Sequence, residues 1–437
     1  MNTREIDDAL DNVKIIDTHE HFSSSLDIVN EGADLFAILP RGYVGFFDFY
    51  PGLRGDLVQF QKYPEIVDKT YLDLINFVNE YHEHEFLDTL NTGMIQLHGG
   101  SIKALSEDMY HDLNASIHDR YQEQGYRDRV LHEFHVDHAV LDVPHHAGGL
   151  GHDLRDAFDP DFYMPAMRIN SLLFGFDLDA WSPSTCLIKI MTNELQVLDG
   201  IPSTFEEYLD DVDAILDWSR DKVVSYKCAS AYERTIDFGT KAAAEPGGKK
   251  FISAKNAFGK SFKKATERER IAFGDCVMHH VLGQIEGNGI PVQMHTGEAI
   301  KPGSNPNNVE SLLAAYPGIE FTLLHCGYPW TSEVLDILKR HDNVHADMVW
   351  LQVVSQEAAR GFLQRAIEEN LAGRIFAFGG DCACIEGSIG ALLRIKNVVR
   401  TVLGSLVDRG KIEPRDVESM VTDLFYNNPK SLFFNSN

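Results

Sequence analysis

The 437-residue chain reads as an α/β protein of the (β/α)8 TIM-barrel class, with a long helical insertion after its first strand. Three observations predict this. Short apolar runs, about eight of them, alternate with helical patterns. The runs are almost continuously apolar, as expected for strands covered on both faces. Residues able to bind metal or move protons recur just where those runs end.

The elements follow in order. Residues 13–21 (VKIIDTHEH) read as the first buried strand and 137–145 (DHAVLDVPH) as the second. A weaker third run covers 169–176, and 222–228 (KVVSYKC) supplies the fourth. Residues 290–296, 319–326, 343–350 and 374–382 complete the set. Helical patterns cover 205–219, 268–286, 308–316, 332–341, 356–369 and 389–403. A doubly wound open sheet is the structural alternative.

Three connecting segments carry expectations of their own. Residues 22–136 are too many for a bare loop, and 71–90 and 108–133 have helical patterns, so an insertion over the barrel mouth is expected. Residues 239–264, rich in Gly, Ala and Lys, suit either a mobile flap near the mouth or a solvated loop. A last helix over 414–426 is expected to stop before Asn428-Pro429. The chain 1–437 is thus read as one barrel domain containing the 22–136 insertion.

Hydrophobic content of 44% and charged content of 24% allow a sizeable core. A formal net charge of −27 repels phosphate backbones, so nucleic acid is not an expected partner. The six cysteines form no CxxC pair and lie in apolar segments, which suits reduced thiols. The opening MNTREIDDALDNVK lacks an apolar signal core, and no apolar run reaches about 18 residues. A cytoplasmic enzyme with a small-molecule substrate and no membrane span is the expectation.

The chemistry starts at His19 and His21. On a strand, residues i and i+2 share a face, so both imidazoles project to one side. Imidazole pairs suit Zn, Mn, Fe or Ni. His295, His325 and Asp381 each end another apolar run, and a barrel gathers its C-terminal strand ends at one mouth. These residues therefore predict a divalent metal site. Lys227, near the end of the fourth strand, is a candidate bridging carboxylated amine, a base or a substrate anchor. One or two ions are both compatible with this set.

Taken together, D-T-H-E-H at 17–21, the strand-four lysine, H-T-G at 295–297, H-C-G-Y-P at 325–329 and G-G-D at 379–381 resemble the amidohydrolase superfamily. Within it, SYKCASAYERT, LLHCGYPW and NVHADMVW look most like the amidohydrolase portion of fluG-type proteins, with uronate isomerases as more distant relatives. The resemblance implies that His19 and His21 hold a first metal and that His295 is a third ligand or holds a second ion. It implies that His325 binds that second ion or positions the attacking water. Asp381 would ligate metal and act as general base. Gly380 stands where the family often has serine or threonine.

For substrate contact, Tyr232 and Arg234 match a family stretch after the lysine, and an arginine at the mouth suits a carboxylate. Tyr328 and Trp350 are candidate pocket walls, and Glu298 and Glu386 either touch substrate or cap helices. His82, His84, His145, His146, His279 and His280 have spacings that split their rings and are not expected to ligate metal. The resemblance implies a zinc-type hydrolase of a C–N bond in a small carboxylate-bearing molecule. A non-oxidative decarboxylase or a sugar-acid isomerase are the alternatives, and a symmetric homo-oligomer is expected.

Overall fold

The computed structural model describes residues 3–22, 32–42, 70–142, 158–181, 186–297 and 302–434. Eight strands run in the order β1 to β8, with every neighbouring pair parallel. They are β1 (Ile15–Glu20), β2 (Val136–Leu141), β3 (Tyr163–Arg168), β4 (Ser225–Cys228), β5 (Val292–His295), β6 (Phe321–Leu324), β7 (Val344–Asp347) and β8 (Ile375–Phe376). β1, β4, β5, β6 and β8 are buried along their whole length, because helices cover the outside and side chains fill the inside. This is a TIM barrel.

The barrel closes irregularly. β8 pairs with β7 over only Ile375 and Phe376. The chain beyond it then meets β1 through Thr18 N–H on Phe378 O at 3.2 Å, Asp381 N–H on His19 O at 2.8 Å and His21 N–H on Cys382 O at 3.3 Å.

Several elements differ from expectation. The third strand is Tyr163–Arg168, and Asn170–Leu173 is a short helix instead of a strand. Pro165 and Arg168 disguised the true strand, while a short apolar run such as 169–176 does not by itself separate helix from strand. The stretches 71–90 and 108–133 are helical as expected, each as two helices, Tyr71–Tyr81 with Glu85–His98 and Glu107–Tyr121 with Tyr126–Glu133.

These insertion helices are anchored on a barrel helix. Glu85–His98 lies along Ile385–Asp408, and two glycines permit the close crossing. A Cβ on Gly93 would strike Glu386 O, and one on Gly390 would strike Thr89 O. Arg394 adds ion pairs to Glu85 and Asp88. The insertion residues 23–31 and 43–69 lie outside the described residues.

Residues 239–264 form neither a flap nor a solvated loop. They fold into helices Lys241–Ala244 and Lys249–Ala257, the second packed on Glu267–Ile285. Ala254 and Ala257 are buried there, and Lys250 pairs with the buried Asp275. The chain end also departs from expectation, since a helix Asn428–Phe433 continues through Asn428-Pro429. The helix from Val417 passes through a π turn, Asp423–Asn427, just before the proline, and Leu424 O is taken by Ala377 N–H at 2.9 Å, so a carbonyl left without a helical donor is still bonded. Asn428 Nδ2 donates to Ala372 O and Ile375 O, both at 2.9 Å. The continuation brings Leu432 and Phe433 onto Val140, Ala166 and Phe376, an apolar cluster drawing on β2, β3 and β8.

Candidate metal centre

His19 and His21 leave β1 on one side, with ring centroids 4.8 Å apart. Asp381 meets them from the segment beyond β8. His21 Nε2 lies 3.0 Å from Asp381 Oδ1, and His19 Nε2 lies 3.9 Å from the same oxygen. One ligand atom from each of the three falls within 4.8 Å of the others. Bonds of about 2.1 Å to a single ion set its ligand atoms about 3–4 Å apart, so the spacing fits.

The hydrogen-bond pattern fits as well. His21 Nδ1 is 2.6 Å from Asp142 O, and a carbonyl can only accept, so Nδ1 carries the proton. His21 Nε2 then faces the Asp381 carboxylate either as a second N–H or as a lone pair with a cation between the two. Two acceptors 3.0 Å apart are stable only with a proton or a cation between them.

A second imidazole pair stands beside this cluster. His325 Nδ1 donates to Val349 O at 3.1 Å, so its Nε2 accepts from His295 Nδ1–H at 3.0 Å. That relay leaves His295 Nε2 as a buried lone pair without a hydrogen-bond partner. Lys227 Nζ lies 3.2 Å from His19 Nε2, which puts the strand-four lysine beside the cluster.

Burial drives the electrostatics. It pushes His19 and His295 well below the ordinary imidazole range, with Lys227 adding to the effect at His19 and His325 at His295. It pulls His325 down to about 4 despite the nearby Asp381 charge. It lowers Lys227 to about 8, although Asp142 and Asp381 oppose it. Asp381 goes the other way. Burial alone would raise it, but the hydrogen bond and charge of His21, with His325 and Lys227, hold it at about 2. Burial thus keeps His19, His295 and His325 neutral beside an ionised Asp381, protonation states that metal ligation requires.

Backbone conformation marks the same place. His325, Cys326, Trp350 and Asp381 have φ of +63°, +46°, +65° and +50°. Such values are uncommon for non-glycine residues and gather where a site over-determines the chain.

Not every expected residue reaches the mouth. The Tyr232 ring sits 4.5 Å from that of His295, and the Trp350 ring 5.4 Å from that of His325. Tyr328 is half-buried, and its N–H bonds His325 O at 3.1 Å. Arg234 is turned away. Its guanidinium pairs with Asp275 and donates to the carbonyls of Thr235, Ile271 and Asp237, so the expected carboxylate contact fails there. Glu386 stands in the first turn of the helix Ile385–Asp408, where an acidic residue is favoured, but its side chain is committed to the insertion. It is fully buried, and its two oxygens accept from His98 Nε2 and Tyr121 OH, both at 2.9 Å. His145, His146 and Glu298 lie outside the described residues.

Sequence reasoning missed Asp142 and Arg168. Asp142 is fully buried, 3.9 Å from His19 Nε2 and 4.0 Å from His21 Nδ1. Arg168 Nε and Nη2 donate to its two oxygens at 3.2 and 2.6 Å. Asp142 obeys the same strand-end rule that picked out the other candidate residues. Arg168 went unnoticed because its strand was misplaced.

Residues 264–396, which carry His295, His325 and Asp381, match the family model described as Amidohydrolase. A curated relative, protein fluG of Emericella nidulans, is 35% identical over 85 residues, or 18% of this chain and 10% of that protein's length. Among solved structures, glucuronate isomerase from Caulobacter crescentus superposes with a TM-score of 0.71 at 15% identity, covering 99% of this chain and 93% of its own. A Lactobacillus casei protein, provisionally described as a metal-dependent hydrolase, gives 0.63 at 16% identity, covering 98% and 96%. At these identities the two structures share the fold.

Proposed function

We propose that this chain, which belongs to the amidohydrolase superfamily, is a metal-dependent hydrolase cleaving a C–N bond in a small molecule that carries a carboxylate. The observation that carries the reading is the close approach of His21 Nε2 and the Asp381 carboxylate beside His19. These three residues would hold the ion. Two imidazole nitrogens and a carboxylate oxygen are the donor set of a catalytic zinc site, so zinc is the metal proposed. Such an ion, when bound, polarises a carbonyl oxygen and makes water acidic near neutral pH.

The remaining work falls to side chains. Asp381 Oδ2, 3.8 Å from His325 Nδ1, accepts the proton of the attacking water and returns it to the departing nitrogen. Asp142 holds His21 in the ligating tautomer through its carbonyl. Arg168 spends one edge on Asp142, and its side chain keeps 24% exposure at the end of β3. Its other edge is the proposed seat of the substrate carboxylate, in place of Arg234. Tyr232 and Trp350 wall the pocket beside the imidazoles. The six cysteines are buried free thiols, and no described helix is long and apolar enough to cross a membrane.

The test is a panel of carboxylate-bearing amides, with metal content measured on the same preparation. Release of ammonia or amine supports hydrolysis. Carbon dioxide released without an oxidant would instead mark a decarboxylase. An aldose-to-ketose change at constant mass would mark the isomerase chemistry named for the Caulobacter protein. Asp381→Asn is expected to cut turnover by about 10³-fold or more. Full activity in that variant would remove Asp381 as the base.

A further inference from the structure

β1 and the segment beyond β8 together carry His19, His21 and Asp381, yet regular strand pairing ends at Phe376, well short of Asp381. Two buried carboxylates span the gap. Asp17 Oδ1 accepts from His19 N–H at 3.2 Å and from Gly380 N–H at 3.1 Å. Glu20 Oε1 accepts from His21 N–H at 3.2 Å and from Cys382 N–H at 2.5 Å. Each carboxylate therefore grips the backbone of one histidine and the backbone of one residue flanking Asp381. Both side chains are fully buried.

Gly380 completes the arrangement. A Cβ there would collide with Glu20 Oε2, Glu20 Cδ and Ser388 Oγ. The Glu20 carboxyl thus occupies the volume that any larger residue at 380 would need. Ser388, from the following helix, lies against the same volume.

We propose that Asp17 and Glu20 form a two-carboxylate clamp that sets the spacing between the His19–His21 pair and Asp381, and that position 380 is glycine to admit the Glu20 half of it. Both are positioning residues, acting through backbone amides. The inference rests on the metal centre proposed above. An acceptor oxygen is the working part of each arm, so a side chain that keeps the oxygen keeps the clamp. Removing partners of this kind around a metal commonly weakens binding 10–100-fold.

The test measures zinc affinity by competition and ligand geometry by the visible spectrum of the cobalt-loaded protein. Unfolding of the metal-free protein serves as the control. Glu20→Gln keeps an acceptor of the same shape and is expected to bind within about threefold of wild type. Glu20→Leu is expected to lose about 10–100-fold in affinity and to change the cobalt spectrum. Gly380→Ser is expected to lose a similar amount alone. In a Glu20→Ala background the same change should cost several-fold less, because the colliding carboxyl is gone and only the Ser388 hydroxyl, the end of a short side chain that can turn about χ1, still faces position 380.

Wild-type affinity and spectrum in Glu20→Leu would overturn the clamp. So would a Gly380→Ser penalty that is equal in both backgrounds. If Glu20→Leu does not fold, the Gly380→Ser comparison decides. A wild-type protein that takes up no stoichiometric metal would instead overturn the metal centre itself, which separates the two failures.

Discussion

Two buried charge clusters draw on the chain around β4 and β5, and they are built on opposite rules. In one, Asp275, on the helix Glu267–Ile285, is fully buried and meets both Arg234 and Lys250, while Arg234 also donates to three carbonyls. Every charge there has a partner of opposite sign. At the mouth, His19 Nδ1 and His295 Nε2 are buried without hydrogen-bond partners. Buried polar groups are normally satisfied, so an unsatisfied set marks a place kept ready for something else. The contrast teaches that an arginine's sequence neighbourhood does not reveal which cluster it serves. Arg234 follows the site lysine yet stabilises the fold, whereas Arg168, on the neighbouring strand, reaches the Asp142 that touches both histidines.

The sharpest way to break the comparison is to exchange a carboxylate for a neutral side chain in each cluster. Asp381→Asn should abolish most turnover while the metal-free protein unfolds no more easily than wild type. Asp275→Ala should do the reverse. Stranding Arg234 and Lys250 costs about 3 kcal/mol in denaturant unfolding, with kcat of the folded fraction near wild type. An Asp275→Ala enzyme with intact stability would erase the distinction between the clusters.

The seam between the insertion and the barrel should show an intermediate effect. Gly390→Ala places a methyl group against Thr89 O, a backbone atom that cannot swing aside. About 1–3 kcal/mol of destabilisation is expected, read by thermal or denaturant unfolding. A neutral result would mean that the two helices separate easily.

The smallest effect tests unmatched charge outside both clusters. Burial, with Asp210, Glu207 and Asp199 nearby, raises Asp211 from 3.8 to about 6. A carboxyl raised in the folded state adds stability below pH 3.8 and loses it as pH climbs through about 6. Asp211→Asn should therefore raise the unfolding midpoint at pH 7 by about 1 °C and leave it unchanged below pH 4. A lowered midpoint at pH 7 would show that the ionised carboxylate is stabilised by a partner.

Much of the barrel was legible because its signals are local. The helix predicted at 205–219 is Phe205–Ser219, opened by a capping box of Thr204 with Glu207. Strands β4 to β7 lie inside their predicted runs. The third strand was not legible, because Pro165 and Arg168 interrupt its apolar pattern. The Lys-rich stretch 239–264 was misread for a different reason. Its composition looks solvent-facing, but Phe251 and Phe258 pack onto Phe205, and Lys250 finds a buried partner.

By itself the sequence determined which residues stand at strand ends, and the barrel rule then brings His19, His21, His295, His325 and Asp381 to one mouth. Periodicity is a property of neighbouring residues, so it survives without a structure. Only the tertiary structure decided what those residues touch. It paired Asp142 with Arg168, committed Arg234 and Glu386 to the scaffold, and set two carboxylates across the seam between β1 and the segment beyond β8. Each of these depends on the direction of a side chain and on partners up to 363 positions away, which no local pattern encodes.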